Sequence, residues 1–115
     1  MTAGAEDIEQ IKVVNWVKQC TDIPILAIAN QRKCTMQYGA FLKKMGVTAG
    51  VCDLFLPRGN SSFSGLWVEM KIKPNYATEK QKSFMASMIK EGYSAHVAYS
   101  ADEAILIIKS FYSIE

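Results

Sequence analysis

The stretch GVTAGVCDLFLPRGNSSFSGLWVEMK, residues 46–71, contains two short apolar runs separated by residues that are typical of turns. The runs VCDLFLP (51–57) and GLWVEMKIK (65–73) have the length and the content of β-branched and aromatic residues that favour strands. The segment RGNSSFSG, which joins them, is rich in glycine, serine and asparagine, and these residues favour turns. The stretch therefore predicts an antiparallel hairpin with charged residues at one end of its apolar strands.

Patterns on either side of the hairpin predict four helices and two further strands. Helical periodicity, capping signals or both mark residues 6–20, 35–46, 78–92 and 100–112. The apolar run at residues 23–30 predicts a buried strand, and residues 94–100 predict a final strand. The resulting order, α-β-α-β-β-α-β-α, predicts an α/β fold in which helices flank a mixed β-sheet.

The composition is typical of a globular protein, since the 115 residues are 50% apolar and 21% charged. We expect one domain, over residues 1–115, with a hydrophobic core of its own. A net charge of +2 permits nucleic-acid binding through a local basic patch but does not predict it. No apolar run approaches the length of a membrane span, and the acidic start of the chain does not resemble a signal peptide. A cytoplasmic location is expected.

The histidine and cysteine content excludes several kinds of catalytic site. The only histidine is His96, so histidine-rich zinc sites and nucleases built on paired imidazoles are excluded. His96 is interpreted as a strand residue without a catalytic role. The three cysteines are widely spaced, which argues against a disulfide framework and favours reduced thiols. Any catalysis must therefore depend on carboxylates and lysines.

Glu69 and Lys71 lie two residues apart in the second strand of the hairpin, so their side chains point to the same face while Met70 points to the other. A buried, unpaired carboxylate is unfavourable, so Glu69 requires a partner. Lys71 is one candidate, and a divalent cation is a better one because Mg²⁺ prefers oxygen ligands. Asp53 begins the adjacent strand and could bind the same ion. The alternative is a solvated Glu–Lys pair on an exposed strand.

A metal site here assigns a role to each residue. Asp53 and Glu69 would hold the ion, with the main-chain carbonyl of Met70 as a further ligand, and the ion would polarise a phosphodiester and activate water. Lys71 would orient or deprotonate the attacking water, or offset charge in the transition state.

Glu6 is a candidate for a third acidic ligand. It shares a helix face with Gln10, Val13 and Val17, so it is centred on the stripe that faces the core. The alternative is that Glu6 only interacts with the helix dipole in the first turn. Glu9 is the second candidate at this end of the chain.

Gln81 also has two interpretations. Thr78 and Gln81 have the spacing of a capping box, in which Gln81 caps its own helix. That helix follows the strand of Glu69 and Lys71, however, and an amide there could instead bind phosphate or water at the metal. Five basic residues near the predicted site are candidate contacts for the DNA backbone: Arg32, Lys33, Lys43, Lys44 and Arg58.

Together, these motifs resemble the VRR-NUC family of the PD-(D/E)XK nuclease superfamily. The resemblance covers about residues 6–110 and rests on EDIEQ, LKKMGVTAGVCDLFLP, GLWVEMK, TEKQKSF and EGYSAHVAYSADEAILII. It implies a restriction-endonuclease-like fold and phosphodiester hydrolysis that depends on Mg²⁺ or Mn²⁺. It also implies the following functional residues: the acidic ligands Glu6, Asp53 and Glu69, the lysine Lys71 and the helix glutamine Gln81. Cys52 replaces a proline that often precedes the family's aspartate, where it shapes a turn and takes no part in chemistry.

The chain is expected to be the nuclease module alone, similar to stand-alone phage or bacterial members of the family. The resemblance then implies a homodimer that cuts branched DNA, Holliday junctions in particular. Residues 36–45 and the final helix, with Ile105, Leu106 and Ile108, are candidate interfaces. Two alternatives remain open: a non-catalytic nucleic-acid-binding module, and a nuclease subunit that needs a partner for specificity.

Overall fold

The structure, a computed structural model, describes residues 4–29 and 35–115. Within these residues the elements follow the predicted order, which confirms the mixed α/β fold. They are α1 (Ala5–Cys20), β1 (Leu26–Ala27), α2 (Met36–Lys44), β2 (Leu54–Leu56), β3 (Leu66–Met70), α3 (Glu79–Lys90), β4 (Ser94–Ala98) and α4 (Ala101–Tyr112).

The described strands form one mixed sheet in the order β1-β2-β3-β4. Strands β2 and β3 form the predicted antiparallel hairpin, with Leu54 opposite Val68 and Leu56 opposite Leu66. β1 pairs antiparallel with β2, and β4 pairs parallel with β3. The parallel pair requires a crossover, which α3 provides. The C-terminal end of β3 and the start of α3 therefore lie at the same end of the strands.

Alternation along the strands divides the sheet into two faces. One face packs against α1 and α4 in a core whose side chains are all buried: Val13, Val17, Leu54, Leu56, Leu66, Val68, Met70, Ala98, Ala104 and Ile108. On the other face, Trp67 stacks on Phe55 and meets the edge of Phe84 from α3, with ring centroids 4.2 and 5.0 Å apart. Glu69 is on this second face, because it lies two residues after Trp67.

The prediction of a buried strand at residues 23–30 is wrong in one respect. β1 contains only two residues, and Leu26 is 51% exposed. Because β1 pairs only with β2 in the described sheet, it is an edge strand, and both of its residues are exposed. An apolar run predicts a strand, but it does not determine what covers that strand.

Two of the three cysteines lie within the described residues. Of the cysteines that the structure describes, Cys20 is exposed and Cys52 is buried, and both are free thiols. Among residues 4–29 and 35–115, no helix combines the length and apolar character that crossing a membrane requires.

Candidate functional site

Asp53 and Glu69 lie side by side at one end of the hairpin. Because Leu54 pairs with Val68, the antiparallel register places residue 53 opposite residue 69. The backbone N–H of Asp53 donates to Oε1 of Glu69 at 3.2 Å, and the backbone N–H of Met70 donates to Oδ2 of Asp53 at 3.0 Å. These reciprocal hydrogen bonds hold both carboxylates in fixed positions, as the sequence predicts.

Glu69 is a buried acid with incomplete compensation, since its residue is only 2% exposed. Burial, and then the negative charge of Asp53, raises the pKa of Glu69 to about 8, while Lys71 acts in the opposite direction. Nζ of Lys71 lies 3.9 Å from Oε2 of Glu69. The pair is therefore too long for a direct hydrogen bond. The burial of Glu69 contradicts the alternative of a solvated pair on an exposed strand.

Gln81 has the capping role that the sequence left open, and its side chain also contacts the site. Its backbone N–H donates to Oγ1 of Thr78 at 3.2 Å, and its Oε1 accepts from the backbone N–H of Thr78 at 2.8 Å, which forms a capping box. Its Nε2 donates to Oε2 of Glu69 at 2.9 Å. The cap therefore fixes the amide, so that its free N–H group points at the buried carboxylate.

A turn before β2 packs directly against the start of α3. Gly50 has φ +85°, and a Cβ atom at this position would lie 2.5 Å from the backbone carbon of Lys80 and 2.9 Å from the nitrogen of Gln81. Only glycine permits both this backbone conformation and this close approach. The TAG segment before Cys52 and Asp53 thus sets the position of α3 relative to the site.

These side chains line one cavity of about 740 Å³. Its walls come from several segments of the chain and include Glu6, Asp53, Glu69, Lys71 and Gln81. Every residue for which the resemblance implied a side-chain role in the reaction therefore lines this cavity. Their convergence supports the interpretation that the cavity is the functional site.

Comparisons with protein-family models and with solved structures both give matches. The family model for the VRR-NUC domain matches residues 4–102. A solved structure of a VRR_NUC domain protein is 30% identical in sequence, covers 99% of this chain and 93% of that chain, and superposes with a TM-score of 0.83. The chain belongs to the VRR-NUC family. Its fold is that of a VRR-NUC nuclease domain, and its function is of the nuclease type. No curated protein matches the sequence.

The carboxylate oxygens of this VRR-NUC site are chemically suited to bind a hard divalent cation. Asp53 and Glu69 provide carboxylate oxygens, which are the ligands that Mg²⁺ and Mn²⁺ prefer, and the surroundings of Glu69 disfavour its negative charge. Within residues 4–29 and 35–115, however, no three acidic, histidine or cysteine side chains come close enough together to hold one ion. Glu6 lines the cavity without completing such a group.

The start of α1 distinguishes Glu6 from its acidic neighbours. Asp7 accepts a hydrogen bond from the backbone N–H of Gly4 at 3.1 Å, so Asp7 caps the helix. Glu9 accepts from the backbone N–H of Ala101 at 3.0 Å and from Lys12 at 2.7 Å. The first of these bonds, and then the lysine, lowers the pKa of Glu9. Glu9 therefore connects α1 to α4, and Glu6 is the acid of this helix that lines the VRR-NUC cavity.

The predicted basic contacts are distributed over different parts of the chain. Lys43 lines the cavity, and Lys44 is exposed without lining it. Arg58 lies beyond the other end of β2, where its guanidinium donates to Oδ1 of Asp22 at 2.8 Å. Arg32 and Lys33 are outside the described residues.

His96 lies outside the cavity of the VRR-NUC site. Its Nε2 is 2.9 Å from Oγ of Ser94, and it lines a separate cavity with residues of α4, on the sheet face opposite Glu69. Burial lowers its pKa. This placement agrees with the interpretation that His96 is a strand residue that finds its own partner.

Sequence reasoning missed the contribution of α2 to the cavity. Met36, Gly39 and Lys43 of this helix line the cavity. The predicted C-cap at Gly46 is present, with φ +94° and its N–H bonded to the carbonyl of Lys43 at 3.0 Å. The small residues Gly39 and Ala40, which lie about two turns before the cap and also line the cavity, were the available signal.

Proposed function

We propose that this VRR-NUC protein is a homodimeric endonuclease that depends on Mg²⁺ or Mn²⁺ and cuts branched DNA, Holliday junctions in particular. The observation that supports the proposal most strongly is the pair of Asp53 and the buried Glu69, which Lys71 and Gln81 adjoin within one cavity. A buried carboxylate with a second acid beside it reduces the stability of a metal-free protein. Such a pair is retained at functional sites, where perturbed pKa values concentrate.

In this proposal Asp53 and Glu69 hold the cation, and the main-chain carbonyl of Met70 and the carboxylate of Glu6 are further ligands. When bound, a divalent cation withdraws charge from the phosphodiester and acidifies water, which makes a nucleophile available near neutral pH. Gln81 keeps the carboxylate of Glu69 in one orientation through its 2.9 Å hydrogen bond. Its Oε1 already accepts from Thr78, so the amide acts through its N–H group.

Lys71 is the residue for the reacting phosphate. Its side chain is 13% exposed, so the ammonium group reaches the cavity without being free in solvent. A fixed positive charge in such a site stabilises the additional negative charge of the pentacoordinate transition state at phosphorus, or orients the attacking water. At 3.9 Å from Glu69, Lys71 retains hydrogen-bonding capacity for the substrate.

The proposed dimer would use the apolar surface of α2. Four large side chains of this helix or its cap are exposed: Met36, Tyr38, Phe41 and Met45. No residue of α2 is buried, so the helix has an apolar surface that the described residues leave open. Of the alternatives on α4, Leu106 is exposed, whereas Ile108 is fully buried and cannot contact a second copy. Two sites related by a twofold axis would suit a symmetric junction.

The test is cleavage of a labelled four-way junction beside linear duplex and single-stranded DNA, in Mn²⁺, Mg²⁺ or EDTA. Lys71→Ala should abolish cleavage, whereas Lys90→Ala, which removes an exposed lysine at the end of α3, should not change it. Metal-dependent cutting of the junction alone supports the full proposal. Cutting of all substrates would leave the nuclease and remove the junction specificity. Binding without cutting under any metal would contradict catalysis and favour a binding module.

Light scattering at several protein concentrations tests the dimer separately. The wild type should have twice the mass of the chain, and Met45→Lys should shift it toward the monomer because a charge cannot be buried in an apolar interface without a partner. Leu106→Lys adds the same charge at the alternative interface on α4 and should leave the mass unchanged, so a shift to monomer in this variant alone would assign the dimer to α4 instead.

A further inference from the structure

The segment 72–77 is attached to the candidate site at both of its ends. It begins directly after Lys71 and leads into Thr78, the N-cap of the helix that carries Gln81. Tyr76 is five residues from both Lys71 and Gln81, so it lies within about 18 Å of each along even a fully extended chain. No step of the proposed reaction involves this segment.

Tyr99 approaches the same edge from the neighbouring strand. The backbone N–H of Lys71 donates to the carbonyl of Ala98 at 2.9 Å, which continues the β3–β4 ladder to its end. Tyr99 is the next residue of the chain. The parallel register therefore places a second tyrosine beside the lysine of the site.

The two tyrosines and Lys73 form one surface group, the 73/76/99 cluster. The rings of Tyr76 and Tyr99 meet edge-on, with centroids 6.2 Å apart and planes at 70°. Nζ of Lys73 lies 5.4 Å from the centre of the Tyr99 ring. Tyr76 is nevertheless 65% exposed, because an edge-on contact covers only a small part of a ring. The cluster thus presents an aromatic face, held by a second ring, beside an ammonium group.

An aromatic surface with an adjacent lysine matches the chemistry of a nucleotide that is not base-paired. Every base has a π-face that can stack on tyrosine, and the adjacent phosphate is attracted to the lysine. A base inside an intact duplex cannot offer that face, because its neighbours already stack on it. A structural role for Tyr76 in the core is contradicted by its exposure.

We infer that the 73/76/99 cluster is a stacking platform for an unpaired base of the DNA strand that enters the site. The inference rests on the proposed function and specifies its substrate class: branched DNA in which a base beside the scissile phosphate is unpaired or opens at the branch point. The platform selects such DNA over perfect duplex, and Tyr76 is its main contact. Tyr76 determines specificity and takes no part in the chemical step.

Binding in EDTA tests the platform without cleavage. The probe is a single-stranded oligonucleotide with 2-aminopurine at successive positions, because stacking quenches the fluorescence of this base. Wild type should quench at one or two positions, and Tyr76→Ala should remove this quenching and weaken binding about tenfold, as expected for the loss of one stacked base. Tyr76→Phe should retain both. Phe63→Ala, which removes an exposed ring from the opposite end of the hairpin, is the control and should behave as wild type.

Cleavage rates with metal give the second readout. Tyr76→Ala should reduce the ratio of the rate on flapped or gapped DNA to the rate on perfect duplex about tenfold. If the wild type cuts no DNA, the proposed nuclease function fails, while the fluorescence experiment still decides whether the platform exists. If the wild type does not quench 2-aminopurine, or if Tyr76→Ala quenches as well as wild type, the platform is overturned. An equal loss of rate on all substrates would overturn it too.

Discussion

The two ends of the β2–β3 hairpin both hold an acid near a base, but the two pairs are in opposite surroundings. At the site end, Lys71 and Glu69 have side chains that are 13% and 2% exposed, and they are separated by 3.9 Å. At the other end, Arg58 and Asp22 are 44% and 88% exposed, and they are only 2.8 Å apart. The exposed pair is closer, although water already satisfies both of its charges.

The difference shows what each pair can do. An exposed ion pair contributes about 0–1 kcal/mol and needs nothing further. A buried carboxylate with a second acid beside it is unfavourable until a cation or a proton neutralises it. The pKa directions agree: Arg58 lowers the pKa of Asp22, while burial and Asp53 raise that of Glu69. A bound cation can therefore stabilise the end of the hairpin that carries Glu69, whereas the end that carries Arg58 needs no further ligand.

The same substitution at the two ends should separate them most strongly. Asp53→Asn removes a proposed ligand charge, so we expect cleavage to fall by about a thousandfold or more, as for loss of a group that acts in the transition state. Asp22→Asn breaks only the exposed pair with Arg58, and activity should stay within about twofold. Single-turnover rates at saturating metal measure both. Equal losses would mean that the site depends on overall charge and not on Asp53.

Stability in EDTA should respond to pH in opposite directions at the two ends. Because folding raises the pKa of Glu69 from 4.5 to about 8, the folded state holds a proton that the unfolded chain releases, and stability falls as pH rises through that interval. Asp22 has a lowered pKa, so its stabilisation is present above its ordinary value of 3.8 and is lost as pH falls through the folded value.

Thermal unfolding across this range measures both slopes. Glu69→Gln should remove the fall between 4.5 and about 8, and Asp22→Asn should remove the loss below 3.8. Adding Mg²⁺ or Mn²⁺ at the upper end should raise the melting temperature of the wild type but not of Glu69→Gln, since a bound ligand stabilises the folded state. A wild-type slope that survives in Glu69→Gln would show that another group takes up the proton.

Gly50→Ala tests whether packing of the turn against α3 maintains the site end. The new Cβ would meet the backbone of Lys80 at 2.5 Å, and φ is +85°, so we expect a destabilisation of about 2–4 kcal/mol from the clash and the strained conformation together. Gly46→Ala is the matched control. Its φ is +94° with open space around the position, so only the conformational part of about 1 kcal/mol should remain. Urea unfolding of both variants measures the difference, and equal losses would show that the contact with α3 is soft.

The fold was largely predictable because its signals are local. Turn residues between two apolar runs predict the hairpin, and the 3.6-residue period of Val13 and Val17 predicts the buried face of α1. The exposure of Leu26 was not predictable, since whether an apolar strand is covered depends on elements far away in the chain.

The candidate site was also predictable only where its signals are local in the sequence. Alternation along the strand and the predicted hairpin were enough to suggest that Asp53 lies near Glu69, and the structure added the register that puts them opposite each other. The contact of Gln81 with Glu69 is tertiary, and the sequence showed only its capping spacing. Arg58 was predicted to lie near the site because it is close to Asp53 in the sequence, but it lies at the opposite end of the hairpin. The strand direction from Asp53 to Arg58 was the information needed to avoid this error.

Gln81→Ala and Thr78→Ala should separate the cap from the site, with the smallest effects of the series. Both variants lose one arm of the capping box, so each should destabilise the protein by about 1 kcal/mol. Only Gln81→Ala also removes the N–H group that holds Glu69, so only this variant should lose activity, by about tenfold. Denaturant unfolding and cleavage rates on the same preparations give the two numbers. If Thr78→Ala loses as much activity as Gln81→Ala, the position of the helix start matters to the reaction and the amide itself does not.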